Sequence, residues 1–462
     1  MKKHIHLIGI GGTGLSAIAR LLRESGYAVS GSDQVMSPLA EELVKAGIDV
    51  MIGHKAENIQ GADIIVRSSA IADDNPEVLA GIASKIPVQK RSEFLGQFME
   101  SKVTVAIAGT HGKTTTTGLV AWMLTKLGLD PSFIVGSTIN QLQTNAHAGN
   151  GKVFVIEADE YDRMFLGLKP DISVITTMEL DHPDCYPTYH DYYNAFSAFA
   201  LSTKPGGTLL VCGDHENLRQ LQQMAAESGT RTNSFGFNGE CDFQALNLSL
   251  SPEGYYTFDF ARKTPQGLNI LHKDITITLP GKHNVLNTTA ALCIAEILKI
   301  DKDKAAAAVA KFNGTGRRFE IVAEVDGISL IDDYAHHPTE IKTTLAAARS
   351  RYLYSRIWAI WQPHTYSRTR SMEQEFVHSF QEADETIIME IYASREKKEE
   401  YSSNKLVAQM DQSNTRFIPD QQGVVNTLLK ELREGDVVVV LSAGDANMVN
   451  KALAGLLPGR KN

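Results

Sequence analysis

Cysteine is scarce in this chain. Cys185, Cys212, Cys241 and Cys293 are the only four in 462 residues, and they are scattered with no close pair. Neither a disulfide framework nor a zinc site is expected. Long apolar runs are absent as well, and none approaches the roughly 20 residues that span a bilayer. The opening MKKHIHLIGIGGTG passes from a short apolar stretch into glycines without a small-residue cleavage site, so it reads as a first β-strand rather than a leader. A cytoplasmic protein is expected. An excess of basic charge is also missing: 45 Lys and Arg stand against 54 Asp and Glu, a net charge of −9. That balance argues against a nucleic-acid surface as the main role. The expected partners are small molecules, with no nucleic acid and no membrane, and the expected state is a monomer or homodimer.

What is present is ordinary globular composition, 43% apolar and 21% charged, in a chain long enough for about two to four domains. Strand-like and helix-like stretches alternate, which predicts parallel α/β architecture. Three blocks are expected: residues 1–100, 101–315 and 316–462. The first holds HIHLIGI, YAVSGSD and ADIIVRSS. The second holds VTVAIAG, KVFVIEAD and ISVITT, with an antiparallel insert expected over about 231–280. The third holds ISLIDDY, IWAIWQP, ETIIMEIY and DVVVVLSAG.

Two glycine loops stand between a predicted strand and a predicted helix. In the first, Gly9-Ile10-Gly11-Gly12-Thr13-Gly14, glycines permit a tight turn and let backbone approach a diphosphate at a helix N-terminus. Asp33 ends the next strand 19 residues after Gly14, where a dinucleotide-binding protein places its ribose acid. The loop alone leaves NAD and a plain packing turn both open. The second loop is Gly109, Thr110, His111, Gly112, Lys113, Thr114 and Thr115. It resembles a phosphate-binding loop, although Ile107 stands where the common pattern has a further glycine. Lys113 suits β- and γ-phosphates, and the Thr114 hydroxyl suits Mg²⁺. Glu157 and Asp159, at the end of KVFVIEAD, are the candidate magnesium acids. Asp181 and His182 end a further strand, where parallel sheets bind ligands.

GTHGKTT, EADEYD, ELDHPD, GKHNVLN, GRRFE, DDYAHHP and QPHTYSRT occur in this order over residues 109–370. Together they resemble the Mur ligases, the ATP-dependent ligases of peptidoglycan precursor synthesis. GIGGTGLSAIA, VRSSAI, DDYAHHPTEI and IYASRE resemble the branch that adds the first amino acid, L-alanine, to UDP-N-acetylmuramate. The resemblance accounts for Ile107, since the family's loop is a shorter variant. It implies three domains: a Rossmann-like one for the UDP-sugar, a central P-loop-like one with a mainly parallel sheet for ATP, and a C-terminal Rossmann-like one for the amino acid.

The same resemblance implies residue roles. Gly11, Gly12, Thr13 and Gly14 would serve the UDP diphosphate, with Asp33, His54, Ser68, Ser69 and Arg91 on the uridine and sugar side. Lys113 and Mg²⁺ would neutralise charge during phosphoryl transfer, with Thr114 and Glu157 on one cation and His182 on a second. Asn284 would contact adenine, or cap a helix as Asn also favours. Arg318 would reach the ATP phosphates, and Asp332 or Asp333 the ribose. Tyr334, His336, His337 and Arg368 would form the amino-acid pocket, with His336 a candidate base because an unperturbed histidine titrates near pH ~6.5. Two departures appear. Ser197 stands near the place of a carbamylated lysine found in some sister ligases, with Lys204 the nearest lysine, so no such lysine is expected. Thr365 replaces an arginine of some members.

The nearest rival is a sister ligase that attaches a preformed tripeptide to the same UDP-sugar. A folate polyglutamylating ligase should lack the first block. An NAD-dependent oxidoreductase leaves GTHGKTT and EADEYD without work. A regulatory ATP-binding protein has no need of His182, His336 and Arg368.

Overall fold

The computed structural model describes residues 3–410 and 413–459. These fall into two compact units. The first comprises Met1–Met178, His190–Phe243 and Ala290–Ala308; the second comprises Glu179–Tyr189, Gln244–Thr289 and Val309–Asn462.

In the first unit, β1 (His4–Ile8), β2 (Ala28–Asp33), β3 (Asp49–Ile52), β4 (Ile64–Arg67) and β5 (Val88–Lys90) form a sheet in the order β3-β2-β1-β4-β5, parallel throughout. The order reverses at β1, so the switch point falls beside the glycine loop that follows it. A second set comprises β6 (Val103–Ala108), β7 (Ser132–Ile139), β8 (Thr144–His147), β9 (Val153–Glu157), β10 (Ile172–Ile175), β11 (Thr208–Cys212) and β12 (Arg231–Gly236), ordered β12-β11-β10-β6-β9-β7-β8. All neighbours there are parallel except β7 and β8. β6 is central. Residues 104–108 are buried, as a strand covered on both faces requires. The helix Lys113–Lys126 after it buries ten residues.

The second unit holds β13 (Phe243–Leu250), β14 (Tyr256–Thr264) and β15 (Gly267–Thr276), with β14 and β15 antiparallel. The expected antiparallel insert therefore begins later than predicted. Arg231–Gly236 pairs parallel with β11, because the buried run from Ser234 to Gly236 belongs to the main core. The unit's larger sheet contains β16 (Glu320–Val325), β17 (Ile328–Asp333), β18 (Ile357–Trp361), β19 (Glu385–Ile388), β20 (Thr415–Phe417) and β21 (Val437–Leu441), ordered β16-β17-β21-β18-β19-β20. β21, all Val and Leu, is an inner strand. Alternation along β18 sends Trp358 and Ile360 into one core cluster and Ile357, Ala359 and Trp361 into the other. No helix among the described residues is long and apolar enough to cross a membrane.

Candidate functional site

The second glycine loop joins β6 to the helix Lys113–Lys126, and only glycine fits its first position. Gly109 has φ +135°, and a Cβ there would meet Thr176 Oγ1 at 2.1 Å. Gly112, the N-cap, is left-handed at φ +81°. Thr110 and His111 donate their N–H groups to the Thr177 carbonyl and hydroxyl at 3.0 and 2.8 Å. The first turn of the helix carries N–H groups that have no intrahelical acceptor, and its dipole favours an anion there. Such a loop and helix N-terminus suit phosphate oxygens in general.

Lys113 Nζ lies 2.8 Å from both carboxylate oxygens of Glu160. Burial opposes its charge, but Glu160 and then Asp159 outweigh that and push the ammonium above its ordinary value. Tyr192 Oη bridges Thr110 Oγ1 at 2.9 Å and Glu160 at 3.5 Å. Thr114 Oγ1 donates to Glu157 Oε1 at 2.9 Å, and Glu157 Oε2 accepts the Gly136 N–H at 2.6 Å. This hydroxyl–carboxylate pair offers the hard oxygen ligands Mg²⁺ prefers. Thr115 is buried in the first turn. Asp159 accepts the Tyr161 N–H at 3.1 Å.

At the first loop, Asp33 is occupied by the loop itself: its Oδ2 accepts the Gly11 N–H at 2.8 Å. Gly12 and Thr13 are exposed. Gly14 is bare because Arg91 fills the space, where a Cβ would meet Nη1 at 1.8 Å. Arg91 also lies 3.7 Å from Asp159, so it is no isolated surface cation. Ser68 packs its Cβ near Gly9, and Ser69 is exposed. His54 Nδ1 is 3.0 Å from Ser32 Oγ.

In the second unit, His182 has a left-handed backbone at φ +55°, uncommon outside glycine. Its N–H donates to Asp181 Oδ1 at 2.7 Å. Arg368 is 3% exposed and places Nε and Nη2 at 2.9 and 2.8 Å from Asp181 Oδ1. Burial opposes the Asp181 charge, yet Arg368 and three histidines hold it well below the usual carboxylate range. Arg368 Nη1 lies 3.2 Å from His364 Nδ1, so that nitrogen accepts. The rings of His336 and His364 are 5.9 Å apart, and His364 stacks on Tyr392 at 6.0 Å. Tyr334 sits edge-on to His336, under the guanidinium groups of Arg317 and Arg318. Arg318 is also 3.7 Å from Glu340. His337 caps the helix Pro338–Arg351 by accepting the Thr339 N–H.

Several expectations change. His336 is pushed down to about 4, mainly by burial, which makes it a weak acceptor for an ammonium proton. Its Nδ1 donates to the Tyr334 carbonyl at 2.9 Å. Asn284 is not an N-cap, since the helix starts at Lys282. Its amide instead donates to the Pro280 carbonyl at 2.7 Å and accepts from Asn287 at 3.0 Å. Asp332 accepts from Asn450 at 2.6 Å, and Asp333 accepts the Phe319 and Ala335 N–H groups. Burial pushes both acids up to about 6. Thr365 caps the helix that carries Arg368. Ser197 lies on the helix Tyr189–Leu201, and Lys204 pairs with Asp171 at 2.9 Å. The sequence pattern does not mark Glu160, Tyr192, His364 or Glu77. Glu160 and His364 lie inside motifs quoted for their neighbours, EADEYD and QPHTYSRT.

Three family models match in succession: the Mur ligase catalytic domain over residues 4–103, the Mur ligase middle domain over 107–295, and the Mur ligase glutamate ligase domain over 317–444. The UDP-N-acetylmuramate–L-alanine ligase of Geotalea daltonii is 39% identical, over 96% of this chain and 95% of its own length. That of Clostridium tetani is 38% identical over 96% of each. Among solved structures, the UDP-N-acetylmuramate–alanine ligase of Thermotoga maritima superposes with a TM-score of 0.82 at 26% identity, covering 99% of this chain and 100% of that one. A murein peptide ligase of Psychrobacter arcticus shares the fold with a TM-score of 0.70 at 24% identity over the whole of both chains. The chain belongs to the Mur ligase family and has its three-domain α/β fold.

Proposed function

We infer that this chain is an ATP-dependent ligase that joins L-alanine to the lactyl carboxylate of UDP-N-acetylmuramate, giving ADP and phosphate, in peptidoglycan precursor synthesis. Likeness over nearly the full length to ligases of that name supports the substrates. The observation that carries the chemistry is the loop at Gly109–Thr115, where Lys113 meets Glu160 and Thr114 meets Glu157.

A carboxylate is a poor electrophile. Its oxygen attacks the γ-phosphorus, ADP leaves, and the alanine amine then attacks the acyl carbon and expels phosphate. Lys113 and the loop N–H groups stabilise the transferring phosphoryl group, as positioning and charge dominate this reaction. Mg²⁺, held by Thr114 and Glu157 with His182 on a second ion, would supply charge neutralisation between two anions. Arg318 is proposed for the phosphates, Asn284 for adenine, Asp332 for the ribose once Asn450 yields, and Tyr334, His336 and Arg368 for the amino acid. Gly11, Gly12, Thr13, Gly14, Asp33, His54, Ser68, Ser69 and Arg91 are proposed for the UDP-sugar. We place domain boundaries near residues 100 and 315, and the enzyme in the cytoplasm as a monomer or homodimer.

Phosphate release from Mg-ATP tests this reading. It should require both UDP-N-acetylmuramate and L-alanine. Release with the tripeptide and not with alanine would reassign the amino-acid pocket.

A further inference from the structure

Glu77 lies outside the loops described above, in the same unit. It is 0% exposed and accepts from four groups. His6 Nε2 is at 3.0 Å, Ser32 Oγ at 2.7 Å, Asn58 Nδ2 at 2.6 Å and the Lys55 N–H at 3.2 Å. Burial works against its charge, but the His6, Ser32 and Asn58 hydrogen bonds prevail and bring it down to about 2. The group is ionised and can only accept. It ties together β1, the end of β2 next to Asp33, and the turn after β3 that carries His54. Gly53 binds that turn to the Asp33 carbonyl at 2.8 Å, at the same sheet end as the first glycine loop.

Counting protons fixes the next link. Ser32 has one hydroxyl hydrogen, and Glu77 takes it. Ser32 Oγ therefore accepts from His54 Nδ1 at 3.0 Å. Glu77 Oε1, 3.5 Å from the same nitrogen, also calls for an N–H there. We propose that Glu77, through Ser32, is a positioning residue that sets His54 as the Nδ1–H tautomer, leaving the Nε2 lone pair to receive a donor from the sugar nucleotide. That donor is a hydroxyl or the uracil imide, not a phosphate oxygen. A neighbouring hydrogen bond setting which ring nitrogen is free is a general property of histidine. The proposal rests on His54 lying in the sugar-nucleotide site.

The test is ¹⁵N-histidine NMR of the full chain, with His54→Gln to assign the signal. The expected result is an Nδ1–H His54 in the free protein, kept on adding UDP-N-acetylmuramate, with the Nε2 resonance shifted. Glu77→Gln and the milder Ser32→Ala should both release the tautomer. Each should raise KM for the sugar nucleotide about tenfold while leaving kcat and KM for ATP within about twofold. An Nε2–H or doubly protonated His54 in either state would overturn the proposal, as would folded variants with an unchanged tautomer. An Nδ1–H His54 that UDP-N-acetylmuramate leaves unmoved would overturn the recognition step and, separately, the site assignment.

Discussion

Lys113 Nζ stands 2.8 Å from both oxygens of a Glu160 carboxylate that is 0% exposed. Removing one partner strands the other. Lys113→Ala should therefore abolish phosphate release and also destabilise the fold by about 3–5 kcal/mol. Adding Glu160→Gln should restore most of the melting temperature without restoring activity. Thermal melts and phosphate assays on the single and double variants separate the two roles.

Thr114 and Glu157 share a 2.9 Å hydrogen bond. Thr114→Val keeps the shape and removes one oxygen ligand. The half-saturating Mg²⁺ concentration should rise about tenfold, the equivalent of one lost polar contact, while KM for alanine stays put. A magnesium titration of initial rates checks this.

Arg368 uses Nε and Nη2 on Asp181 and Nη1 on His364. Arg368→Lys keeps a cation for the buried Asp181 but loses the planar fork. KM for L-alanine should rise roughly 10–100-fold, matching about 1.5–3 kcal/mol for a charged hydrogen bond, with KM for ATP little changed. Equal increases in both would deny Arg368 a specific amino-acid role.

Glu77 drops from 4.5 to about 2 on folding. A depressed carboxylate adds stability above its unfolded pKa and loses it as pH falls through the folded one. The wild-type advantage over Glu77→Gln should thus be full at neutral pH and fade between about 4.5 and 2, on the order of 3 kcal/mol in all. Urea unfolding of both proteins across that range measures it.

His336 holds its lone pair down to about pH 4. An acid limb near pH ~6.5 in kcat would belong to another group. His336→Gln should leave any such midpoint in place while lowering the rate, which a pH–rate profile of both proteins reads directly.

The parts of this molecule written as local pattern were legible. The strand–glycine–helix junctions at Gly9–Gly14 and Gly109–Thr115 could be placed because apolar runs and glycines mark them, and Asp33 does end β2. What local pattern does not carry is who meets whom across the sheet. That Asp33 accepts the Gly11 N–H of the loop itself is not written in YAVSGSD. Asn450, 118 residues away, donates to Asp332, a partner that DDYAHHP does not reveal. Glu160 and Glu157 are indistinguishable in EADEYD, and only the turn after β9 sends one to Lys113 and the other to Thr114. The burial that lowers the basicity of His336 cannot be read from DDYAHHP.

Acyl phosphate formation is the central claim, and oxygen tracing tests it most directly. UDP-N-acetylmuramate labelled with ¹⁸O in its lactyl carboxylate would be turned over with Mg-ATP and L-alanine, and the released phosphate analysed by mass. One labelled oxygen from each carboxylate should appear in phosphate, because the oxygen that attacks phosphorus departs with it. Amide product accompanied by unlabelled phosphate would contradict the account.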